Sequence, residues 1–169
     1  MSETRIGVIA DTHYVPYKAA GFPLDKIKEI FDKTSLIIHA GDLTNLNMLE
    51  MLEDIAPVEA VCGNMDSFEV SMRVPKKKTV NCGGKNIGII HGFGSPEEFP
   101  QKLFGYFSGE KLDILIFGHT HLPFNKKVSG ILCFNPGSPV KPAASFKPSV
   151  GILTIADDKK VTAEIIELV

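Results

Sequence analysis

Seven side chains that can bind a metal ion follow directly after short apolar runs of this sequence. In open α/β sheets the carboxyl ends of the strands form one rim at which ligands gather, so side chains placed just beyond several strands can converge. The candidate ligands are Asp11, His13, Asp42, Asn64, His91, His119 and His121.

Taken singly, each of these residues has a more ordinary explanation. An Asp after a strand commonly caps a turn or a helix, and an Asn after Gly commonly forms a turn. His119 and His121, two positions apart, are also compatible with a surface pair. The combination favours metal binding, because four of the five histidines occupy equivalent positions and only His39 does not.

The donor set restricts the choice of metal. It consists of imidazoles, two carboxylates and one amide, without a thiolate, which suits Mn(II), Fe, Ni or Zn better than Ca(II) or Mg(II). Seven donors are too many for one tetrahedral ion, but they suit two ions that share a carboxylate and lie roughly 3.5 to 4 Å apart. We therefore expect two divalent metal ions, with manganese as the first candidate and nickel, iron or zinc as alternatives.

The first third of the chain alternates short β-branched runs with segments of helical periodicity. This alternation is typical of βαβ units and a partly parallel sheet. Pro23 suits the first turn of a helix, where a missing N–H costs least, and Pro57 ends the next helix. The predicted strands are Ile6–Ala10, Leu36–Ala40 and Val58–Cys62, and the predicted helices are Pro23–Lys33 and Leu46–Ile55.

Two-residue turn signals later in the chain predict hairpins at Gly83-Gly84 and at Ser129-Gly130. The second half is therefore expected to be mostly antiparallel. One helix is expected between Ser95 and Phe107, although Pro100 favours a later start than a capping box at Ser95 would give. The remaining predicted strands are Ile114–Phe117, Gly151–Ile155 and Val161–Leu168. No repeat or linker divides the sequence, which predicts a single domain over residues 1–169.

Composition narrows the classes of function. The chain has 169 residues, 44% of them hydrophobic, and 18 Lys and Arg against 20 Asp and Glu give a formal net charge of −2. This charge provides no long-range attraction to nucleic acid, so strong nucleic-acid binding is not expected. The run Lys76-Lys77-Lys78 is expected in a solvated loop or an edge strand. No apolar stretch approaches roughly 18 residues, so no membrane span is expected.

The three cysteines, Cys62, Cys82 and Cys133, are odd in number and form no Cys-x-x-Cys pair. Neither a disulfide framework nor a thiolate zinc site is indicated, which favours a reducing, cytoplasmic setting. Assembly into a homo-oligomer stays open.

The order of these motifs resembles the calcineurin-like metallophosphoesterase superfamily, and more closely the small bacterial and archaeal phosphodiesterases within it. The matching motifs are Asp11-x-His13, Gly41-Asp42, Gly63-Asn64, His91, Gly118-His119-Thr120-His121 and the late loop Asn135-Pro136-Gly137-Ser138. The resemblance implies an α/β fold of the metallo-dependent phosphatase type. This is a four-layer α/β/β/α sandwich of two mixed sheets, with the metals at one end.

The resemblance also implies a role for each candidate ligand. Asp42 would bridge the two ions, and Asp42, Asn64 and His91 are expected to act in catalysis, with Asn64 also contacting the substrate. The implied function is hydrolysis of a small phosphodiester, in which a hydroxide between the ions attacks phosphorus in line with the departing alkoxide. The implied ligand sets are Asp11, His13 and His121 on one ion, and Asn64, His91 and His119 on the other.

One position departs from the family pattern. Many members carry a His after the Gly-Asn pair that is thought to protonate the leaving group, whereas here Met65 follows Asn64. Methionine donates no proton, so this help must come from another group or a metal-bound water, or be absent. Leaving groups that depart easily as anions are then expected to be preferred. Asp66, the nearest ionisable neighbour, is expected to cap a turn.

The roles of two further residues and two classes of alternative function stay open. His39 is expected either to orient a ligand from the end of its strand or simply to pack there. Asn135 is expected either to hydrogen-bond a phosphate or to shape its loop. The alternative activities are those of a phosphomonoesterase, a cyclic-nucleotide phosphodiesterase or a nuclease on the same centre. The alternative from another class is a non-catalytic interaction scaffold, like the eukaryotic retromer subunit that shares the fold but departs from the catalytic set.

Overall fold

A computed structural model describes residues 3–143 and 145–169 as two five-stranded sheets with helices on their outer faces. The strands are β1 Thr4–Ile9, β2 Leu36–His39, β3 Val58–Ala60, β4 Lys77–Cys82, β5 Lys85–Ile90, β6 Ile114–Ile116, β7 Phe124–Val128, β8 Ile131–Asn135, β9 Ser149–Ile155 and β10 Val161–Glu167. The α-helices are α1 Leu24–Phe31, α2 Asn47–Glu53, α3 Phe68–Arg73 and α4 Gln101–Phe104. Short 3-10 helices span Pro16–Gly21, Pro96–Glu98 and Gly105–Phe107.

The first sheet has the strand order β10-β9-β1-β2-β3. Strands β1, β2 and β3 run parallel, because α1 and α2 return the chain to the same end of the sheet between them. Strands β9 and β10 join as an antiparallel pair next to β1. The βαβ units predicted from the first third of the sequence are thus confirmed.

The second sheet has the strand order β4-β5-β6-β8-β7. Both predicted hairpins form, as β4–β5 and β7–β8. The expectation that this half is mostly antiparallel agrees with the antiparallel pairs β4–β5, β7–β8 and β9–β10, but β5–β6 and β6–β8 are parallel pairs that the turn signals did not predict. Hairpin signals describe local turns, whereas the parallel pairs depend on long connections that carry the chain back before the next strand. The lysine run contributes to β4, an edge strand, as expected.

Apolar side chains fill the space between the two sheets. Ile6 and Val8 alternate along β1 toward the second sheet, as a strand with one face in this core requires. They lie in the same buried cluster as Ile87 and Ile89 of β5 and Ile116 of β6. This shared core packs the sheets face to face.

Helices cover the two outer faces. On the first sheet, Ile9 packs in a buried cluster with Ile27 and Phe31 of α1. A Cβ atom at Gly7 would lie 3.0 Å from the Phe31 ring, so glycine lets α1 approach β1 closely. On the second sheet, Leu103 of α4 lies in a buried cluster with Leu115. The layers are therefore α/β/β/α, which confirms the predicted fold class.

The helix expected between Ser95 and Phe107 is broken into three short pieces. Only α4 is an α-helix, and 3-10 helices lie on either side of it. Pro100 lacks the N–H that a continuous helix would use, and the expected Ser95 side-chain cap does not form. Glu98 instead pairs with Lys102 at 2.7 Å.

Helix α3 was not anticipated from the sequence. Its start is marked by the Ser67 side chain, which accepts a hydrogen bond from the Val70 N–H at 3.2 Å. Pro75 follows shortly after its end. Both are ordinary helix signals. Among the helices of the described part of the chain, none has the length and apolar character needed to cross a membrane.

Candidate metal centre

The candidate ligands lie in loops at one edge of the sandwich, and those loops have unusual backbone conformations. Five of the seven ligands have positive φ angles, a region that non-glycine residues seldom adopt. Each such residue costs on the order of 1–3 kcal/mol, and the conformation persists only where its surroundings determine it. The angles are 53° for Asp11, 42° for His13, 58° for Asp42, 68° for His119 and 55° for His121.

Backbone hydrogen bonds tie these loops together. The Asp11 N–H donates to the Gly41 carbonyl oxygen at 3.0 Å, which joins the ends of β1 and β2. The His119 N–H donates to the Asp11 carboxylate, 3.0 Å from Oδ2, and so links loops from the two sheets. Positions far apart in the sequence are therefore held at fixed distances around Asp11.

The first ligand cluster consists of Asp11, His13 and His121, whose ligand atoms all lie within 4.8 Å of one another. His121 Nε2 lies 3.3 Å from Asp11 Oδ1 and 3.3 Å from His13 Nε2. His121 Nδ1 donates a hydrogen bond to the Lys141 carbonyl oxygen at 2.5 Å, which turns Nε2 toward the cluster. The hydrogen bond to Asp11 raises the pKa of His121, whereas burial lowers the pKa of His13.

The second ligand cluster consists of Asp11, Asp42 and His91, all three buried. His91 Nδ1 donates to the Ala40 carbonyl oxygen at 2.7 Å. His91 Nε2 then faces Asp42 Oδ2 at 3.4 Å and Asp11 Oδ1 at 3.8 Å. Burial alone would lower the pKa of His91, but the carboxylates of Asp42 and Asp11 outweigh it and raise that pKa.

Two carboxylates lie between the clusters. Asp11 is a member of both. Asp42 Oδ2 lies 3.4 Å from His91 Nε2 and 3.7 Å from His13 Nε2, so it faces both clusters as well. Its other oxygen accepts a hydrogen bond from the Met65 N–H at 2.8 Å. Burial would raise the pKa of Asp42, but the interactions with His91 prevail and lower it.

Asn64 and His119, the remaining candidate ligands, lie together beside these clusters. His119 Nδ1 is 3.0 Å from Asn64 Oδ1, and its Nε2 is 3.2 Å from the Gly94 carbonyl oxygen. The centre of the His119 ring is 5.4 Å from that of His91. The structure thus brings all seven candidate ligands to one edge, five of them in two clusters and two beside them.

The residues present fit a divalent cation. His91 Nε2 is a buried nitrogen with no hydrogen-bond partner among the described residues, and it points toward two carboxylates. A buried polar nitrogen without a partner lowers the stability of the folded protein. A cation at this place would take a lone pair from His91 Nε2 and offset the carboxylate charges. His121 is held in a similar way, with Nδ1 fixed by a carbonyl oxygen and Nε2 turned toward Asp11 and His13.

Asp66 holds two ligand-bearing loops together, a role that the sequence did not suggest beyond a turn cap. Its Oδ2 accepts hydrogen bonds from the N–H groups of Gly63 at 2.6 Å and Asp42 at 3.1 Å. Its Oδ1 accepts from the Thr44 N–H at 2.6 Å. The loop after β2 and the loop after β3 are therefore fixed to one carboxylate. Burial raises the pKa of Asp66 despite these bonds.

His39 is fully buried behind the loop that carries Asp42. Its Nδ1 accepts a hydrogen bond from the Gly41 N–H at 3.1 Å, so Nε2 carries the proton and donates to Thr12 Oγ1 at 3.0 Å. The Thr12 hydroxyl lies 3.4 Å from the Asp42 carbonyl oxygen, to which it donates. His39 thus contacts the backbone of the ligand loop rather than a ligand side chain.

Asn135, for which a phosphate contact was one of two expected roles, is fully buried in the structure. Its amide nitrogen donates to the Gly118 carbonyl oxygen at 3.0 Å and to Thr120 Oγ1 at 3.1 Å. Its oxygen accepts from the Gly137 N–H at 2.9 Å. The side chain therefore shapes the loop between His119 and His121, the second of the two roles expected for it.

Glycine is required at two positions beside the ligands, because ligand side chains approach the backbone closely there. A Cβ atom at Gly63 would lie 2.7 Å from the Asp42 nitrogen and 2.7 Å from His91 Cδ2. At Gly41, where φ is +94°, a Cβ atom would lie 2.6 Å from His91 Nδ1. These glycines allow the ends of β2, β3 and β5 to meet.

Comparison with known proteins agrees with this geometry. The chain is 41% identical over 163 residues to a probable metallophosphoesterase of Methanothermobacter thermautotrophicus, covering 95% of this chain and 91% of that protein. It is 28% identical over 177 residues to a phosphodiesterase of Methanocaldococcus jannaschii, covering 96% of this chain and 98% of that protein. A crystal structure of Vps29 complexed with zinc, from Entamoeba histolytica, matches 98% of this chain and 100% of its own with a TM-score of 0.74 and 25% identity.

The family itself is identified by a model of the calcineurin-like phosphoesterase superfamily domain, which matches residues 4–158. That range contains every candidate ligand and both sheets up to the end of β9. The resemblance seen in the sequence motifs is thereby confirmed: this chain belongs to the calcineurin-like phosphoesterase superfamily, a family of metallophosphoesterases.

Proposed function

We propose that this protein is a dinuclear metal-dependent phosphodiesterase. The observation that carries the proposal is a pair of ligand clusters that share Asp11, in which Asp42 of the second cluster also faces His13 of the first. The buried His91 Nε2 faces the carboxylates of both Asp11 and Asp42. Two divalent cations held there would activate water for in-line attack on phosphorus and offset the charge of the phosphoryl oxygens. Manganese is the first candidate, and nickel, iron and zinc are the other metals that suit the donors.

The proposed ligand assignment follows the clusters. Asp11, His13 and His121 would hold one ion, and Asp42 would be shared with a second ion, to which His91 would be a further ligand. Asn64 and His119 would complete the second set, because His119 lies beside His91 and contacts Asn64. Asn64 is exposed, which leaves its amide accessible to a bound phosphate.

A diester is favoured over a monoester because cavities lie on two sides of the centre. One, of about 370 Å³, is lined in part by Asn64 and His91. The other, of about 260 Å³, is lined in part by His13 and Tyr14. A phosphodiester has two ester groups to place on either side of its phosphorus, whereas a monoester has one. The archaeal relative that is named a phosphodiesterase supports the same choice.

The two residues that follow Asn64 provide little help for protonating a leaving group. Met65 donates no proton from its side chain, and both oxygens of Asp66 accept backbone hydrogen bonds. The proposed enzyme therefore prefers esters whose alcohol departs readily as an anion.

The direct test is metal analysis of the purified protein together with hydrolysis assays. Two metal ions per chain and hydrolysis of bis(p-nitrophenyl) phosphate with Mn(II), Ni(II) or Zn(II) are expected. Faster hydrolysis of the monoester p-nitrophenyl phosphate would instead support a phosphomonoesterase. Faster hydrolysis of cyclic nucleotides or of short oligonucleotides would support a cyclic-nucleotide phosphodiesterase or a nuclease. Absence of both metal binding and hydrolysis under all three metals would contradict the proposal.

A non-catalytic scaffold is the second candidate, favoured by one surface feature and by the similarity to Vps29. Met65, Phe68 and Met72 are 59%, 81% and 72% exposed, and the last two lie one turn apart on α3. Exposed apolar groups of this size suit contact with a partner. An inactive protein whose association with another chain is lost on changing Phe68→Ser would support this candidate.

The proposed cytoplasmic setting agrees with the cysteines. Cys62, Cys82 and Cys133 are free thiols in the structure, and burial raises the pKa of Cys133 to about 11. Burial raises the pKa of Cys62 and Cys82 as well, which disfavours the thiolate that a nucleophilic cysteine needs.

A further inference from the structure

We propose that the larger cavity beside the metal centre is a binding site for a planar aromatic ester group of the substrate, such as a nucleoside or a simple aryl group. This inference rests on the proposed phosphodiesterase function and names the class of substrate. It is carried by two exposed aromatic rings and one lysine that line the same cavity as Asn64 and His91.

The position of the cavity connects it to the reacting phosphate. It has a volume of about 370 Å³, and Asn64 and His91 form part of its wall. A phosphate bound at the second ligand cluster would therefore direct one of its ester groups into this space. Ligand cavities in proteins are typically about 300–1,000 Å³, so a cavity of this size holds one ring system rather than a polymer.

Phe93 and Tyr106 provide aromatic surface in this cavity. Their ring centres are 5.6 Å apart with an interplanar angle of 86°, and each residue is 43% exposed. An edge-to-face pair leaves ring faces available for stacking. Exposed aromatic side chains of this kind can stack on any of the nucleic-acid bases, because every base has a π-face.

The positions of both rings are supported by neighbouring lysines. Lys102 Nζ lies 4.8 Å from the centre of the Phe93 ring. Lys77 Nζ donates to the Tyr106 carbonyl oxygen at 2.5 Å, pairs with Glu110 at 3.2 Å and lies 5.0 Å from the centre of the Phe107 ring. These contacts hold the cavity wall and occupy the Lys77 amine.

Lys76 differs from its neighbours in the lysine run. Lys77 pairs with Glu110, and Lys78 pairs with Glu59. Lys76 lines the cavity but has no hydrogen-bond or ion-pair partner among the residues that the structure describes. An exposed ammonium group in the wall of the cavity that Asn64 also lines suits a phosphate oxygen of a substrate whose aromatic group lies against Phe93 and Tyr106.

The test compares three product analogues as inhibitors of the manganese-loaded protein, with methyl p-nitrophenyl phosphate as the reporter substrate. The analogues are adenosine 5′-monophosphate, phenyl phosphate and ribose 5-phosphate, which present a nucleoside, a simple aryl group and no aromatic group. Adenosine monophosphate is expected to inhibit at a concentration at least about tenfold below that of ribose 5-phosphate, since base stacking on an aromatic side chain supplies a gain of this order. Phenyl phosphate inhibiting as well as adenosine monophosphate would assign the site to simple aryl esters.

Variants identify the surface responsible. Phe93→Ala and Tyr106→Ala are each expected to reduce the ratio of the two inhibition constants toward one. Phe146→Ala, a change at an exposed aromatic residue that lines neither of the two cavities beside the centre, is the matched control and is expected to keep the ratio. Lys76→Ala is expected to weaken the binding of adenosine monophosphate and of ribose 5-phosphate equally, by about tenfold. The reason is that Lys76 would contact the phosphate group that both analogues share.

A binding measurement separates this inference from the proposed function. Fluorescence of ethenoadenosine 5′-monophosphate is expected to be quenched on stacking in the metal-loaded protein, with the quenching lost in Phe93→Ala, whether or not a diester is turned over. Hydrolysis of the reporter with equal inhibition by adenosine monophosphate and ribose 5-phosphate would overturn the aromatic site and leave the phosphodiesterase standing. Quenching without hydrolysis of any diester would support the site and contradict the proposed function.

Discussion

His13 Nε2 lies 3.3 Å from His121 Nε2, so two imidazole nitrogens from residues 108 positions apart face each other beside the Asp11 carboxylate. At most one of them can donate a hydrogen bond to the other. The Asp11 carboxylate favours a proton on His121, whose pKa is raised, and burial disfavours one on His13, whose pKa is lowered. A cation between the two rings would accept a lone pair from each, which makes this contact more favourable with metal than with a proton.

Metal binding is expected to stabilise the folded protein. With free Mn(II) at about 100 times its Kd, the free energy of unfolding should rise by about 2.7 kcal/mol, because the unfolded chain lacks the assembled ligands. Thermal unfolding with added Mn(II) and with EDTA measures the difference. His121→Ala should reduce it, since it removes a donor of the first cluster. An identical melting temperature with metal and with EDTA would contradict the proposed centre.

Asp42→Asn is expected to lower phosphodiester hydrolysis by about 10³-fold or more, while the protein stays folded. The substitution keeps the size of the side chain but removes the charge that faces both clusters. His119→Ala should cause a comparable loss. Asp54→Asn is the matched control, because Asp54 is exposed at the end of α2. Near-normal turnover in a folded Asp42→Asn protein would remove the bridging assignment.

Asp66→Asn is expected to weaken metal binding about 10- to 100-fold without removing any ligand. An amide has one acceptor oxygen, so it cannot accept from Gly63 and Asp42 on one side and from Thr44 on the other. The loops after β2 and β3 would then lose part of their common anchor. Titration of Mn(II) measures the affinity, with Asp54→Asn as the control. Rescue of activity at high Mn(II) would show that the defect lies in metal binding, whereas unchanged affinity would assign Asp66 a purely structural role.

The convergence of the ligands could be predicted because it follows from local patterns. Each apolar run stops at a polar ligand-type residue, and the period of the runs identifies them as strands. Parallel strands end at one edge, so the residues after β1, β2 and β3 had to lie near each other. The resemblance of the motifs to the family then predicted that a second sheet packs against the first, with the metals at one end.

The anchoring residues could not be predicted, because their partners are distant in the sequence and follow no periodic pattern. Asp66 bonds to Asp42 and Thr44, more than twenty positions earlier. Asn135 similarly reaches back to Gly118, and its full burial is a property of the packed loops. The parallel pairs of the second sheet were missed for a related reason, since turn signals reveal hairpins but not the strands paired through long crossovers.

His39 is expected to make the stability of the protein depend on pH. Burial lowers the pKa of His39 to about 3, whereas the unfolded chain has the ordinary value of 6.5. Between pH 6.5 and about pH 3, His39 is protonated in the unfolded chain but neutral in the folded protein. The contribution of His39 to stability is therefore fully present above pH 6.5 and is lost as the pH falls toward 3, by about 1.4 kcal/mol per pH unit.

The change His39→Gln tests this dependence. The variant should be less stable at pH 7, because it loses the hydrogen bonds to Gly41 and Thr12. Its free energy of unfolding should then fall less steeply than that of the unmodified protein between pH 6 and pH 4.5. Urea unfolding in EDTA measures both slopes without a contribution from metal, and every other titrating group is common to the two proteins. Parallel curves would mean that His39 takes up its proton as readily in the folded protein as in the unfolded chain.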